Sequence, residues 1–208
     1  MESVLDRVIK QNTENVNLLK TKDYNIFSVL QIQSKEVLIC RMTADLLNPR
    51  GQHGAGAEYL KIFLRDCLGM EKMDTKLADQ AIVTAEYAID DERRIDIVIE
   101  IGSYFLPIEV KIYAADQKSQ CFDYYQYAKR RDAQAKVYYL TLDGHRPGKD
   151  STSSGSQSVP EEDIVCLSFR EHILNWLKAC KSCENTGMVP ILEQFIPVSY
   201  THLTLPTT

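Results

Sequence analysis

The chain has 208 residues, 44% of them hydrophobic and 25% charged, with a net charge of −5. That size and balance suit a single globular domain with a sizeable core, and the acidity excludes a broad basic surface that would bind nucleic acid by charge alone. No stretch is long and apolar enough to span a bilayer, and the N-terminus lacks a basic region followed by an apolar run, so the expectation is a cytoplasmic protein without membrane contact.

Val4, Leu5, Val8 and Ile9 recur at helical spacing, which predicts an amphipathic helix over residues 2–19. A second helix is expected after Ser34 as N-cap, running through Glu36, Leu38, Met42 and Leu46 until Asn48-Pro49-Arg50-Gly51 breaks it. A third begins near Gly56, carries Tyr59, Leu60, Phe63 and Leu64 on one stripe and closes at Gly69. The period then shifts toward alternation, and residues 82–88, 95–101 and 105–113 read as three successive strands. The middle strand is apolar at almost every position except Asp96 and Glu100, as expected of a strand covered on both faces. An isolated acid there needs a reason.

Beyond Ala114 a helical segment runs to about Arg131, followed by a strand over residues 137–142. Residues 144–162, rich in Ser, Gly and Pro, read as a long flexible loop, and a strand at 164–169 and a helix at 171–179 complete the pattern. This order predicts a layered α/β domain with a mixed sheet, occupying residues 1–197. Residues 198–208 carry no charge and are expected to be a non-native read-through tail at which the natural chain is cut short. The six cysteines read as reduced, packed thiols; Cys180-Lys181-Ser182-Cys183 has zinc-ligand or redox spacing but lacks a matching second pair.

Side chains alternate along a strand, so Glu109 and Lys111 share one face while Ile108, Val110 and Ile112 take the other. A hairpin through Gly102-Ser103-Tyr104 would bring Asp96 beside them, so that two carboxylates and an ammonium meet at one end of the sheet. Phosphodiester hydrolysis needs a water in line with the scissile bond and stabilisation of the developing negative charge, both of which metal ions supply. Mg²⁺, with Mn²⁺ as substitute, prefers oxygen ligands and keeps several waters, so Asp96 and Glu109 are the expected ligands and the Val110 carbonyl a further one. Lys111, beside carboxylates, is expected to stay protonated and to stabilise charge rather than act as a base. Taken alone, an acid-X-Lys triplet equally describes a solvated strand face with a cross-strand ion pair.

Arg94-Ile95-Asp96-Ile97, then Ile108-Glu109-Val110-Lys111-Ile112-Tyr113-Ala114, then Asp116-Gln117-Lys118-Ser119-Gln120 together resemble the PD-(D/E)XK nuclease superfamily, in its bacterial and phage nuclease-like group. The likeness extends upstream to Tyr24-Asn25-Ile26-Phe27, Glu36, Leu46-Leu47-Asn48-Pro49 and His53-Gly54. Downstream it takes in Tyr139-Leu140-Thr141-Leu142 and Ile173-Leu174-Asn175-Trp176-Leu177, so it covers roughly residues 24–196. The resemblance implies a restriction-endonuclease-like α-β-β-β-α-β core with extra N-terminal helices and an Mg²⁺-dependent nuclease acting on DNA. It further implies Asp96, Glu109 and Lys111 as the catalytic set, Glu36 as an additional metal-site acid and Gln120 as a residue that orients the site. Ile95 stands where the family name has proline, and Ile39-Cys40-Arg41 replaces the small polar residues expected one turn after Glu36.

Gln117, Gln120, Tyr124 and Tyr127 fall on one side of the helix that follows, with Tyr124, Tyr125 and Tyr127 read as core and rim residues ahead of base-stacking platforms. Lys129-Arg130-Arg131 could line a groove; Arg93-Arg94 is read as balancing Asp90, Asp91 and Glu92 ahead of contacting phosphate; His53 reads as a helix cap as readily as a functional residue. The alternative to a nuclease is a catalytically idle nuclease-like module that binds nucleic acid or a partner, and a plain interaction domain is the third reading. A homodimer is compatible with all three.

Overall fold

The computed structural model describes residues 24–71, 73–183 and 187–201, so the helix expected over residues 2–19 lies outside the described residues. Its centre is a five-stranded mixed sheet in the order β1 (Ile82–Ala88), β2 (Arg94–Ile101), β3 (Tyr104–Lys111), β4 (Val137–Thr141) and β5 (Ile164–Ser168). The first three strands are antiparallel neighbours; β3, β4 and β5 run parallel. Helices α1 (Glu36–Leu47) and α2 (Glu58–Asp66) precede the sheet, α3 (Gln120–Arg131) crosses from β3 to β4, and α4 (Leu174–Lys181) and α5 (Val189–Thr201) follow it. This is a restriction-endonuclease-like arrangement, with the expected α-β-β-β-α-β order and an additional helix on its N-terminal side.

The alternating pattern decides which side chains face which layer. Ile97, Ile99 and Ile101 of β2, Leu106, Ile108 and Val110 of β3 and Leu140 of β4 pack with the apolar stripes of α1, α2, α4 and α5. Val98, Phe105, Val137 and Tyr139 point to the other face, where Cys121, Phe122, Tyr124 and Ala128 of α3 cover them. The predicted stripe of α2 is fully used: Tyr59, Leu60, Phe63 and Leu64 are all buried. Trp176 of α4 is fully buried, donates its indole N–H to the Tyr59 carbonyl at 2.8 Å and meets Phe63 edge-on at 5.4 Å.

The hairpin that matters for the site closes in a two-residue turn, Gly102-Ser103, with Gly102 at φ 57. Tyr104 therefore belongs to β3, paired with Ile101, and not to the turn. Pairing of β3 with β4 begins at Ile108, just past Pro107, which has no N–H to donate.

Several local expectations are corrected. Ser34 ends a short 3-10 turn, Ile32–Ser34, and Lys35 occupies the N-cap of α1 without a side-chain cap. Helix α3 starts at Gln120 because Asp116 is committed elsewhere, accepting from the Tyr139 hydroxyl at 2.7 Å and the Gly148 N–H at 2.7 Å. Residues 144–162 are not a flexible loop. They form a short helix (Lys149–Thr152), a small hairpin of Ser153–Ser154 with Gln157–Ser158, and a 3-10 turn (Glu161–Asp163). Ser151 in this insertion is fully buried and accepts from the Cys121 N–H, while the Asp150 carbonyl accepts from the Ser119 N–H at 2.7 Å. Helix α5 continues through Pro197 to Thr201, and residues 202–208 of the expected tail lie outside the described residues. All six cysteines are free thiols, and no helix among the described residues is long and apolar enough to cross a membrane.

Truncating Trp176 to alanine should lower the unfolding free energy by about 3–5 kcal/mol, since it removes a buried aromatic that joins two helices. Urea denaturation followed by circular dichroism measures the difference.

Candidate active site

The site sits where β2 begins and β3 ends. Antiparallel pairing of Ile97 with Ile108 puts Asp96 across from Glu109 one step further on, and the Asp96 Oδ2 accepts the Val110 N–H at 2.8 Å. Glu109 and Lys111 share a face, as alternation requires, and the Lys111 ammonium contacts Glu109 Oε1 directly. Glu109 is fully buried and Lys111 only 9% exposed. The Asp96 and Glu109 carboxyls are near enough for each to perturb the other's proton affinity. Yet Glu109 Oε2, buried, has no hydrogen-bond partner.

Glu36 arrives from the first turn of α1. Its two oxygens accept from the N–H groups of Ile112 (3.2 Å) and Ala114 (3.4 Å), clamping the chain as it leaves β3. Val110 lies between the acids, its N–H committed to Asp96. Gln120 is buried at the start of α3 and donates to the Tyr124 hydroxyl at 3.0 Å, which in turn donates to the Arg94 carbonyl at 2.5 Å. Gln120 thus ties α3 to the start of the strand that carries Asp96, and does so through Tyr124 without a bond to the acids.

Charge is out of balance here. Burial pushes the Glu109 carboxyl well above the ordinary glutamate range, and the neighbouring Asp96 pushes it further, against the pull of Lys111. Burial also raises Asp96, with Glu36 adding to it and the Val110 N–H and Lys111 opposing. Lys111 behaves oppositely: burial alone would lower it, but Glu109, Asp96 and Glu36 overcome that and hold it above the usual lysine value, so it stays protonated. Three carboxylates against one ammonium leave two negative charges uncompensated when all are ionised. Cys40, one turn beyond Glu36, lies behind the acids; burial and then the three carboxylates raise its thiol, which stays neutral. Among the described residues no three His, Cys, Asp or Glu side chains converge as a complete metal cage. A hard divalent ion that keeps several waters needs fewer protein ligands than that, and the unpartnered Glu109 Oε2 is an oxygen that could serve as one.

Strands β1 and β2 both change face at this level. Val83 and Ala85 pack with the large helical layer but Tyr87 with the α3 layer; Ile97 and Ile99 pack with the former and Ile95 with the latter. The reversal centres on Glu86, which has φ 53 and stands between the pairs Ala85 with Ile97 and Tyr87 with Ile95. A left-handed non-glycine residue costs about 1–2 kcal/mol, whereas its ion pair with Arg41, 59% and 35% exposed, returns about 0–1 kcal/mol. The conformation is therefore not explained by the stability of that pair.

Sequence reading did not anticipate several neighbours. Arg93 does not balance Asp90, Asp91 and Glu92; it joins Asp123 of α3 at 3.0 Å, Gln117 and the Lys118 carbonyl, bracing the segment before α3. Asp90 instead caps its own turn, accepting from the N–H groups of Glu92 and Arg93. Lys129 and Arg131 are paired with Asp163 and Glu100, and Glu100 is at the opposite end of β2 from Asp96, so this basic cluster does not line the acids. Tyr124 is core, while the Tyr125 and Tyr127 hydroxyls are engaged by Asp163 and Tyr87. His53 is structural: it is buried, accepts the Ala55 N–H on Nδ1, donates from Nε2 to the Asn48 carbonyl and stacks on Tyr59.

Fold and site together define a restriction-endonuclease-like domain with clustered carboxylates and a lysine at a sheet end. Residues 24–196 match the PD-(D/E)XK nuclease superfamily, and the chain belongs to it. Members of that superfamily are nucleases, generally dependent on divalent metals. No curated protein and no solved structure matches the chain.

An acid whose folded pKa lies above its unfolded one contributes stability that is full below the ordinary carboxylate range and is lost as the pH rises through the raised value. In chelator, the unfolding free energy should therefore fall as the pH is raised above the ordinary carboxylate range, and Glu109→Gln should flatten that slope. Denaturant melts at a series of pH values test this.

Proposed function

We propose that the protein hydrolyses phosphodiester bonds in nucleic acid, DNA foremost, with Mg²⁺ as its working ion and Mn²⁺ as an effective substitute. The observation that carries this reading is the buried Glu109 oxygen with no partner beside a second carboxylate of raised proton affinity. A site built only for stability would not leave that buried oxygen without a hydrogen bond. Asp96 and Glu109 would hold the ion with the Val110 carbonyl. A bound divalent ion supplies positive charge for the phosphoryl oxygens and acidifies a coordinated water.

The chain's own residues do the rest. The Val110 N–H fixes the Asp96 carboxylate, leaving its other oxygen available. Lys111, anchored on Glu109 and kept protonated, sets a positive charge at the position where a scissile phosphate would gain negative charge. Glu36 adds charge and holds the chain after β3 in place through the Ile112 and Ala114 amides, and each of its oxygens keeps a lone pair with which it would join the metal's ligands. Gln120 is a positioning residue acting through Tyr124 and the Arg94 carbonyl. DNA is favoured as substrate by family resemblance alone.

Purified protein should cleave DNA in Mg²⁺ and lose that activity in chelator. Asp96→Ala and Lys111→Ala should each lower the rate by at least about a hundredfold while the protein stays folded. Folded wild-type protein that cuts neither DNA nor RNA with either ion would sink the proposal. Tight nucleic-acid binding without cleavage would instead establish the idle binding module.

A further inference from the structure

We propose that Arg41 positions a backbone phosphate of the substrate and that Glu86 holds it in readiness until that phosphate takes the place of the Glu86 carboxylate; this rests on the nuclease reading above. The two residues come from different layers of the fold. Arg41 stands on α1, immediately after the buried Cys40 and little more than a turn beyond Glu36. Glu86 stands on the edge strand β1, between the residues that pair with Ile97 and Ile95 on either side of Asp96. Their contact is therefore a rim feature of the proposed active site.

Three observations favour a displaceable role. Arg41 Nε and Nη2 both donate to the same carboxylate oxygen, at 3.1 and 2.7 Å, which leaves part of the guanidinium fork unused and open to a second anion. Both side chains are substantially exposed, so an incoming phosphate can reach them without unfolding anything. Glu86 has φ 53, in the middle of a strand whose pairing is regular on either side, and this is the point at which β1 and β2 change face. Strain that its local ion pair does not offset, one residue pair away from proposed metal ligands, is the kind of cost retained for function. Guanidinium binds phosphate through paired, charge-assisted hydrogen bonds, so exchanging an exposed carboxylate for a phosphodiester is favourable once the cleft charge is neutralised.

The two substitutions should move catalysis in opposite directions. In Mg²⁺ with a labelled DNA duplex, Arg41→Ala should raise KM about tenfold, with kcat changing less, and should make the salt dependence of kcat/KM shallower by about one phosphate contact. Arg41→Lys should restore part of the salt dependence, since the charge remains without the fork. Glu86→Gln, which keeps the shape but removes the competing charge, should lower KM severalfold. Glu86→Gly should lower KM as well and also raise the melting temperature, by relieving the left-handed backbone. If Arg41→Ala and Glu86→Gln shift KM the same way, or alter only the melting temperature, the pair is a structural strut and the proposal is wrong. A wild-type protein that cuts DNA with an Arg41→Ala variant of unchanged KM overturns this inference alone; a wild type that cuts nothing overturns the nuclease reading and this inference with it.

Discussion

Carboxylates crowded round a single buried ammonium set the terms for the rest of this fold. Glu109 is fully enclosed, Asp96 raises its proton affinity and Glu36 adds a third acid, with Lys111 in opposition. Such a group of charges is held together only if the backbone around it is fixed, because each carboxylate alone would relax toward solvent. The fixing is done by three independent elements. The β2–β3 hairpin sets the register, α1 supplies Glu36 to close the backbone after β3, and α3 ties its own start to β2 through Gln120 and Tyr124. A slip of one residue in the hairpin would send Glu109 to the face now filled by Ile108 and Val110, so the apolar pattern of β3 and the placement of its acid are a single constraint.

The kink shared by β1 and β2 follows from the same requirement. A regular ladder would keep Asp96 in pairing with its neighbour on β1, whereas here Glu86 leaves the ladder and the strands turn. Ile95 and Tyr87 then join the α3 side of the core, which allows the start of β2 to lie under Tyr124 while its centre stays under α1. At Glu86 the irregularity falls on the edge strand, and β1 has no further neighbour whose pairing would be lost.

How much of this was legible in the chain depends on the range of the interaction concerned. Strand alternation is local, and so the shared face of Glu109 and Lys111, the buried character of β2 and the stripe of α2 all stood in the sequence. An aspartate inside an apolar strand carried the strongest hint of a site. Contacts between residues thirty or more positions apart left no such trace: Arg93 with Asp123, Cys121 with the Ser151 hydroxyl, and Glu36 with Ile112. Those bonds decide where α3 begins and turn a Ser- and Gly-rich segment into folded structure. Glu86 is the extreme case, since nothing about a glutamate in a β-rich run signals a left-handed backbone. The N-cap of α1 failed for a simpler reason: serine is a good cap in general, but Ser34 was already spent closing the preceding turn, with its hydroxyl on the Gln31 carbonyl.

On the nuclease reading, the acidity of the chain becomes part of how the site works. Its most concentrated basic run, Lys129-Arg130-Arg131, is partly paired with Asp163 and Glu100 and lies toward the wrong end of the sheet to hold a substrate over Asp96. A nucleic-acid backbone approaching the acids without a cation meets repulsion from those that are ionised, against the attraction of Lys111 and of an Arg41 already engaged by Glu86. Repulsion between unit charges near a protein surface is about 4 kcal/mol at 4 Å, enough to disfavour that encounter strongly. Neutralising the carboxylate pair reverses the sign of the local field, so substrate affinity and chemical competence would rise together with metal occupancy. A strongly basic surface would draw the backbone in whether or not the ion is bound, and so would weaken that coupling.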